Sequence, residues 1–155
     1  MPAYWLMKSE PDECSISDVA DAPGQRVPWI GVRNYQARNF MRDAMKKGDR
    51  GFFYHSSTEV PGIAGIVEVA KAAYPDETQF DKKSRYYDEA ATPAEPRWFN
   101  VDLKFVKKTR VVSINELRAE KALGKMQILQ RGNRLSITPV TGAEWEHIQR
   151  LLDKA

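Results

Sequence analysis

The chain has 155 residues, enough for one domain with a substantial core. With 42% hydrophobic and 29% charged residues it has the composition of a soluble globular protein, and no apolar run approaches a membrane span. The net charge of +3 permits a polyanionic partner without requiring one, and the lone Cys14 excludes an internal disulfide or a thiolate metal cluster. The N-terminal residues lack the basic-then-apolar layout of a secretory signal, so a cytoplasmic (or nuclear) protein is expected.

In chain order, Ala3-Tyr-Trp-Leu-Met-Lys8 has the bulky residues of a first strand, which Pro11 stops. Ser15-Ile-Ser-Asp18 reads as a capping box with Asp in place of Glu, opening a short helix to about Ala22. A loop follows to Trp29. In Val27-Pro-Trp-Ile-Gly-Val-Arg-Asn-Tyr-Gln-Ala-Arg-Asn39 an aromatic, a glycine and two arginines meet a helix start. Asn34 is the N-cap, and Ala37, Phe40, Met41, Ala44 and Met45 form one helical face. The pattern predicts a helix of roughly three turns, Tyr35 to Lys47, ended by Gly48. Two readings fit this stretch. Trp29 is a core lid beside solvated arginines, or the helix start with Arg33 and Arg38 faces an anion.

Arg50 to Ser56 is a second strand, with Phe52, Tyr54 and Ser56 on one face and Phe53 and His55 on the other. Ile63 to Ala70 is a third, antiparallel to it across a short turn, and Gly65 within it marks a bulge or a close approach. Tyr74 to Pro96 reads as an unusually long loop carrying the basic-aromatic stretch Lys82-Lys-Ser-Arg-Tyr-Tyr87. From Arg97 to Val106, Phe99, Val101, Leu103 and Phe105 alternate with Trp98, Asn100, Asp102 and Lys104. The first set is expected to face the core. Trp98 then falls on the polar side, covered by the long loop or lining a cavity. Ser113 and Thr141 open two further helices by capping boxes, the second with Val140 and Trp145 as a hydrophobic staple. Arg131-Gly-Asn-Arg134 is a turn carrying two cations. His147 is expected to be solvated on the last helix. The fold class is therefore α+β, a mostly antiparallel sheet of five or six strands flanked by three or four helices, of a size that often curls into a partly closed barrel.

The residues fit enzymatic chemistry poorly. Ser9 or Ser56 with His55 could form a nucleophile and base, and Glu10, Asp12 and Glu13 a metal or base site. Neither has a supporting motif. No nucleotide-cofactor signature is present, and no cofactor or metal is expected. Nucleic acid fits better. Cations interleave with aromatics at Trp29, Arg33 and Arg38, at Lys82, Arg85, Tyr86 and Tyr87, and at Arg97 and Trp98. Cations neutralise phosphates while aromatic faces stack on unpaired or flipped bases. Core packing is the competing reading for each aromatic.

Six motifs stand out along the chain: Tyr4-Trp-Leu-Met-Lys-Ser-Glu-Pro11, Trp29-Ile-Gly-Val-Arg-Asn-Tyr-Gln-Ala-Arg38, Phe53-Tyr-His-Ser56, Pro61-Gly-Ile-Ala-Gly65, Pro96-Arg-Trp98 with Val101-Asp102, and Leu135-Ser-Ile-Thr-Pro-Val140 with Glu144-Trp145. Together they resemble the EVE domain, a family that includes the thymocyte nuclear protein group. The match runs in order over essentially the whole chain. The resemblance implies a single domain over residues 1–155 with a PUA-like pseudo-barrel, related to the YTH domains. It also implies a non-catalytic reader of modified bases, notably modified cytosines in DNA. Modified RNA or amidohydrolysis of nucleosides are the alternatives. By the same resemblance, Ser9 and Glu10 floor a base pocket, Trp29 is one wall, and Gly31 and Asn34 shape the mouth. Tyr54, His55 and Ser56 form the opposite wall, and Tyr86, Tyr87 and Trp98 close it. Arg33, Arg38, Lys82, Lys83, Arg131 and Arg134 are the implied phosphate contacts. Cys14, where an aromatic is common in the family, is expected outside the pocket. The protein is expected to act as a monomer, with nucleic acid as partner and no obligate protein partner.

Overall fold

Strand alternation sends the adjacent Phe52 and Phe53 into two different cores, and the fold is built around that division. The strands are β1 (Tyr4–Ser9), β2 (Arg26–Pro28), β3 (Arg50–His55), β4 (Gly62–Pro75), β5 (Phe99–Ser113) and β6 (Ile137–Val140). The helices are α1 (Ile16–Asp21), α2 (Tyr35–Asn39), α3 (Ile114–Arg118) and α4 (Gly142–Leu152). The strands form one six-stranded sheet in the order β2-β5-β4-β3-β1-β6. Among the described residues only the β1–β3 pair is parallel, and the chain between them makes the crossover through α1, β2 and α2. This is the expected α+β pseudo-barrel. The computed structural model describes residues 3–133 and 135–154. Among the described residues no helix is long and apolar enough to cross a membrane.

The helix caps behave as their local sequence requires. Ser15 with Asp18 and Thr141 with Glu144 form reciprocal capping boxes, while Ser113 caps α3 but Glu116 turns instead to Arg110. Gly65 lies under α1: a Cβ there would come 2.4 Å from Ile16 Cγ1, so only glycine admits the helix. Three expectations shift. First, the helix opened by Asn34 does not reach Lys47. It continues from α2 into a single π turn over Phe40–Ala44 and stops, because the Lys46 N–H donates to the buried Asp49 carboxylate (3.0 Å) instead of continuing the helix. Second, β4 and β5 run well past Ala70 and Val106. The basic residues that masked the strand lie along a paired ladder, where Lys107 meets Asp153 and Lys108 meets Ser17. Third, the loop before Trp29 contains the edge strand β2, held to β5 by backbone pairing and by Arg26–Asp102 (3.0 Å).

Candidate functional site

A cavity of about 570 Å³ opens where the C-terminal end of β1 faces the segment joining β2 to α2. Its lining includes Ser9 and Glu10 at the end of β1, Trp29 and Gly31 in the segment after β2, and Tyr86 and Ser136. Pro11 ends β1, and the chain folds back through Glu13 N–H and Cys14 N–H, both donating to the Glu10 carbonyl. Ser9 Oγ donates to the Cys14 carbonyl (2.6 Å), which fixes this floor. The Ser56 N–H donates to the Ser9 carbonyl and the Lys8 N–H to the Ser136 carbonyl, joining β1 to its flanks at the cavity. Trp29 is 8% exposed. Its N–H donates to the Val101 carbonyl, and its ring stands edge-on to Phe53 (5.6 Å, 81°), so the wall it offers is rigid.

From the cavity rim outward, arginines and aromatic rings stack into one series. Gly31 has φ +79°, and a Cβ there would lie 2.5 Å from the Tyr86 ring, so the glycine both makes the turn and seats the tyrosine. The Arg33 guanidinium lies 5.3 Å from the Tyr86 ring and 5.3 Å from the Trp98 ring. Trp98 stacks on Tyr35 at 4.8 Å, and Arg38 covers Tyr35 at 4.7 Å. On the outer side Arg85 sits 4.7 Å from Tyr86. The result is a ladder, Arg85–Tyr86–Arg33–Trp98–Tyr35–Arg38, running from the cavity mouth to the surface beside α2.

Buried polar groups hold this ladder to the sheet. Asp76 is fully buried and accepts from the Gly31 N–H (2.9 Å), the Thr78 N–H and hydroxyl, and Arg33 (3.3 Å). Burial alone pushes its carboxyl upward. The hydrogen bonds from Thr78 and Gly31, with the Arg33 charge, outweigh burial and hold it below the ordinary aspartate value. Gln79 is also fully buried and fully bonded: its Oε1 accepts the Arg97 and Trp98 N–H groups, and its Nε2 donates to the Asp76 and Trp98 carbonyls. The long segment between β4 and β5 is thereby tied down rather than left as an open loop.

The structure brings together Ser9, Glu10, Trp29, Gly31, Ser56 and Tyr86 around the cavity. It places five others elsewhere. Asn34 is the α2 cap, accepting from the Ala37 N–H at 3.0 Å. Tyr54 points to the opposite face of β3 and is buried with Leu6 and Ile63, because it shares its strand phase with Phe52. His55 packs edge-on to Phe53, and its Nε2 accepts the Ile16 N–H (3.1 Å), capping the first turn of α1. Burial first, then the Lys108 charge, lower its pKa, which favours the neutral acceptor form. Trp98 is covered by the long loop and donates to Asp88 at 2.8 Å. Tyr87 lies outside the cavity lining and is 37% exposed.

Two of the expected phosphate-facing cations are engaged within the fold. Arg33 lines the cavity, but its donors go to Tyr86 and Val32 carbonyls, Thr78 and Asp76. Arg38 donates to the Arg97 carbonyl and Asn39. Lys82, Lys83 and Arg131 are exposed. Arg134 lies outside the described residues. His147 is not free in solvent but meets Glu120 at 2.7 Å.

The cavity also has lining residues outside the expected base-pocket set: Lys8, Cys14, Ile30 and Ser136, with Glu13, noted only as a metal-or-base candidate, and Arg85, noted only within a basic-aromatic stretch. Glu13 and Cys14 directly follow the Ser9–Pro11 motif, Arg85 precedes Tyr86, and Ser136 opens the Leu135–Val140 motif, so proximity to those motifs was the available signal. Cys14 in particular belongs inside the lining, because the turn after Pro11 folds it back against Ser9. Burial first, then the Asp18 charge, raise its thiol pKa, which favours the protonated form.

This geometry has close counterparts. The EVE domain model matches residues 3–151. Human thymocyte nuclear protein 1 is 43% identical over 171 residues, covering 99% of this chain and 76% of that protein. A crystal structure of the human protein, in complex with DNA containing 5-methylcytosine, superposes with a TM-score of 0.91 at 43% identity and covers 99% of each chain. A crystal structure of a Pseudomonas putida protein superposes with a TM-score of 0.92 at 49% identity, over 96% of this chain and 99% of that one. With its motifs, sheet order and likeness to these relatives agreeing over nearly its whole length, the chain belongs to the EVE domain family.

Proposed function

We propose that the cavity receives a single base flipped out of DNA, that the preferred base is a modified cytosine, and that the protein reads it without chemistry. The observation that carries this reading is a cavity walled by Trp29 and Tyr86 in a chain 43% identical to the human protein crystallised with 5-methylcytosine DNA. About 570 Å³ falls within the roughly 300–1,000 Å³ typical of small-molecule sites. Trp29 and Tyr86 supply apolar faces for stacking. Ser9, Glu10 and Ser136 supply hydrogen-bonding groups for a base edge.

The non-catalytic reading rests on the polar groups themselves. The Ser9 hydroxyl is committed to the Cys14 carbonyl, and His55 is committed to the Ile16 N–H, so the two do not form a nucleophile–base pair. The exposed Lys82, Lys83 and Arg131 are the candidates for backbone phosphates from the expected set. The chain acts as one EVE domain and as a monomer, with the cytoplasm as its setting.

The test is affinity for matched DNA and RNA oligonucleotides carrying cytosine, 5-methylcytosine or 5-hydroxymethylcytosine. A preference for modified DNA is expected. Stacking is worth about 1–3 kcal/mol per base, so Tyr86→Ala should weaken the preferred complex roughly 5- to 150-fold. Trp29→Phe keeps the core filled and should lose less. Equal weak binding to every oligonucleotide, unchanged in Tyr86→Ala, overturns the reading. A preference confined to RNA moves the site to RNA.

A further inference from the structure

We propose that Arg85 is a phosphodiester contact at the cavity mouth and that Glu13 is the anion it releases when nucleic acid binds. This rests on the reading of the cavity as a base site. Glu13 lies in the turn after β1 and Arg85 in the long β4–β5 segment, 72 residues apart, and both line the cavity. Their side chains form an ion pair across its rim. The mouth is therefore bridged by a cation and an anion from opposite walls.

Three features single out Arg85 among the cations. First, its position is fixed: Nη2 donates to the Tyr86 hydroxyl, and the guanidinium packs 4.7 Å from that ring. Second, a guanidinium carries five N–H donors, and only those on Nη2 have protein acceptors among the described residues. Nε and Nη1 remain open, whereas the donors of Arg33 and Arg38 are spent on carbonyls and side chains of the fold. Third, Arg85 and Glu13 are 64% and 48% exposed, so their pairing is weak and exchangeable.

A phosphodiester is permanently charged and presents two oxygens that match the guanidinium fork. A carboxylate on the same guanidinium repels it. A base seated between Trp29 and Tyr86 brings its own phosphate to the rim. The Glu13–Arg85 bridge opens, Arg85 turns its open edge to the phosphate, and Glu13 returns to water. The bridge keeps the guanidinium oriented until then, and it disfavours anions that bring no base to hold them there.

The experiment is a double-mutant cycle read by affinity and by its salt dependence, using a duplex with one 5-methylcytosine and its unmodified counterpart. Glu13→Gln should tighten binding roughly threefold or more at low salt, because the competing anion is gone. Arg85→Gln should weaken it roughly five- to tenfold and reduce the slope of log affinity against log salt by about 0.7–0.9. In the Arg85→Gln background, Glu13→Gln should tighten binding less than it does in wild type, because only the direct repulsion between its charge and the phosphate is relieved. Arg85→Lys should restore the slope but only part of the affinity, since it keeps the charge and loses the fork. The ratio of modified to unmodified affinity should hold in every variant, because phosphate contacts position rather than specify. If wild type prefers 5-methylcytosine while Glu13→Gln fails to tighten binding, or Arg85→Gln leaves the slope unchanged, the proposal fails and the base-site reading stands. If the slope falls in Arg85→Gln but no base is preferred, the base-site reading fails and Arg85 remains a phosphate contact. Absence of all binding overturns both.

Discussion

The two faces of the sheet solve the same burial problem by different means. On the α4 face, Phe52 and Tyr4 both stack on Trp145, at 4.0 Å and 4.5 Å, beside a core of Leu6, Ile63 and Ile148. On the cavity face, Trp29, Phe53 and Trp5 form an apolar base, but the elements above it are fastened by buried polar groups. Asp49 takes the Trp5 indole N–H, Asp76 takes Gly31 and Arg33, and Gln79 takes the start of β5. Apolar packing is non-directional and fills space. Directional hydrogen bonds instead hold Gly31, Arg33 and Tyr86 at fixed positions around a gap. The difference explains how the rim of the Trp29–Tyr86 cavity keeps its shape without being filled.

Breaking each face in turn sharpens the comparison. The largest effect is expected on the filled face. Trp145→Ala removes the ring that Phe52 and Tyr4 stack on and should cost about 3–5 kcal/mol in chemical denaturation. Its modified-to-unmodified affinity ratio should be unchanged in protein that remains folded, because the residue lies across the sheet from the cavity.

On the fastened face, Asp76→Asn keeps the shape but removes a charge that several donors share. A loss of about 1.5–3 kcal/mol is expected. Its signature is in the pH dependence. The folded Asp76 pKa lies below the ordinary aspartate value, so the charged form contributes stability that is full above about pH 4. That contribution is lost as pH falls from there through the folded pKa, where the bound proton removes the advantage. Wild type should therefore lose stability more steeply than Asp76→Asn on acidification below about pH 4, as read by thermal midpoints across pH. Parallel curves for the two would show that Asp76 does not hold the rim as a carboxylate.

The smallest stability effect should come from Gly31→Ala. Its left-handed backbone costs about 1–2 kcal/mol with a Cβ, and Tyr86 must also give way. Yet its effect on the cavity should exceed that of Trp145→Ala, with modified-base affinity falling as far as in Tyr86→Ala. A variant that lost stability alone would detach Tyr86 from the base site.

Much of the framework was legible because its signals are local. Ser15, Asn34, Ser113 and Thr141 each cap the helix their own sequence announced, since a cap needs only a side-chain oxygen and N–H groups two or three residues away. The opposite phases of Phe52 and Phe53 were also legible, as was the need for glycine at position 65. The site was legible in part. Ser9, Glu10, Trp29, Gly31, Ser56 and Tyr86 do gather at one cavity. Tyr54 and His55 share a motif with Ser56 but not a destination, because alternation sends Tyr54 through the sheet and α1 claims the His55 ring.

The sequence by itself determined the α+β class, the helix starts, the strand phases and the motifs that mark the family. Those follow from interactions within a few residues or from a period along the chain. Only the tertiary structure decided which cations are spent and which are open. Arg33 and Arg85 look alike in sequence, each within two residues of a tyrosine. Arg33 is consumed by the Asp76 carboxylate, the Thr78 hydroxyl and the Tyr86 carbonyl, brought from 43 to 53 residues away, while Arg85 meets one carboxylate at an exposed rim. A donor's partner is set by what folding brings within about 3 Å of it, and no local pattern encodes that distance.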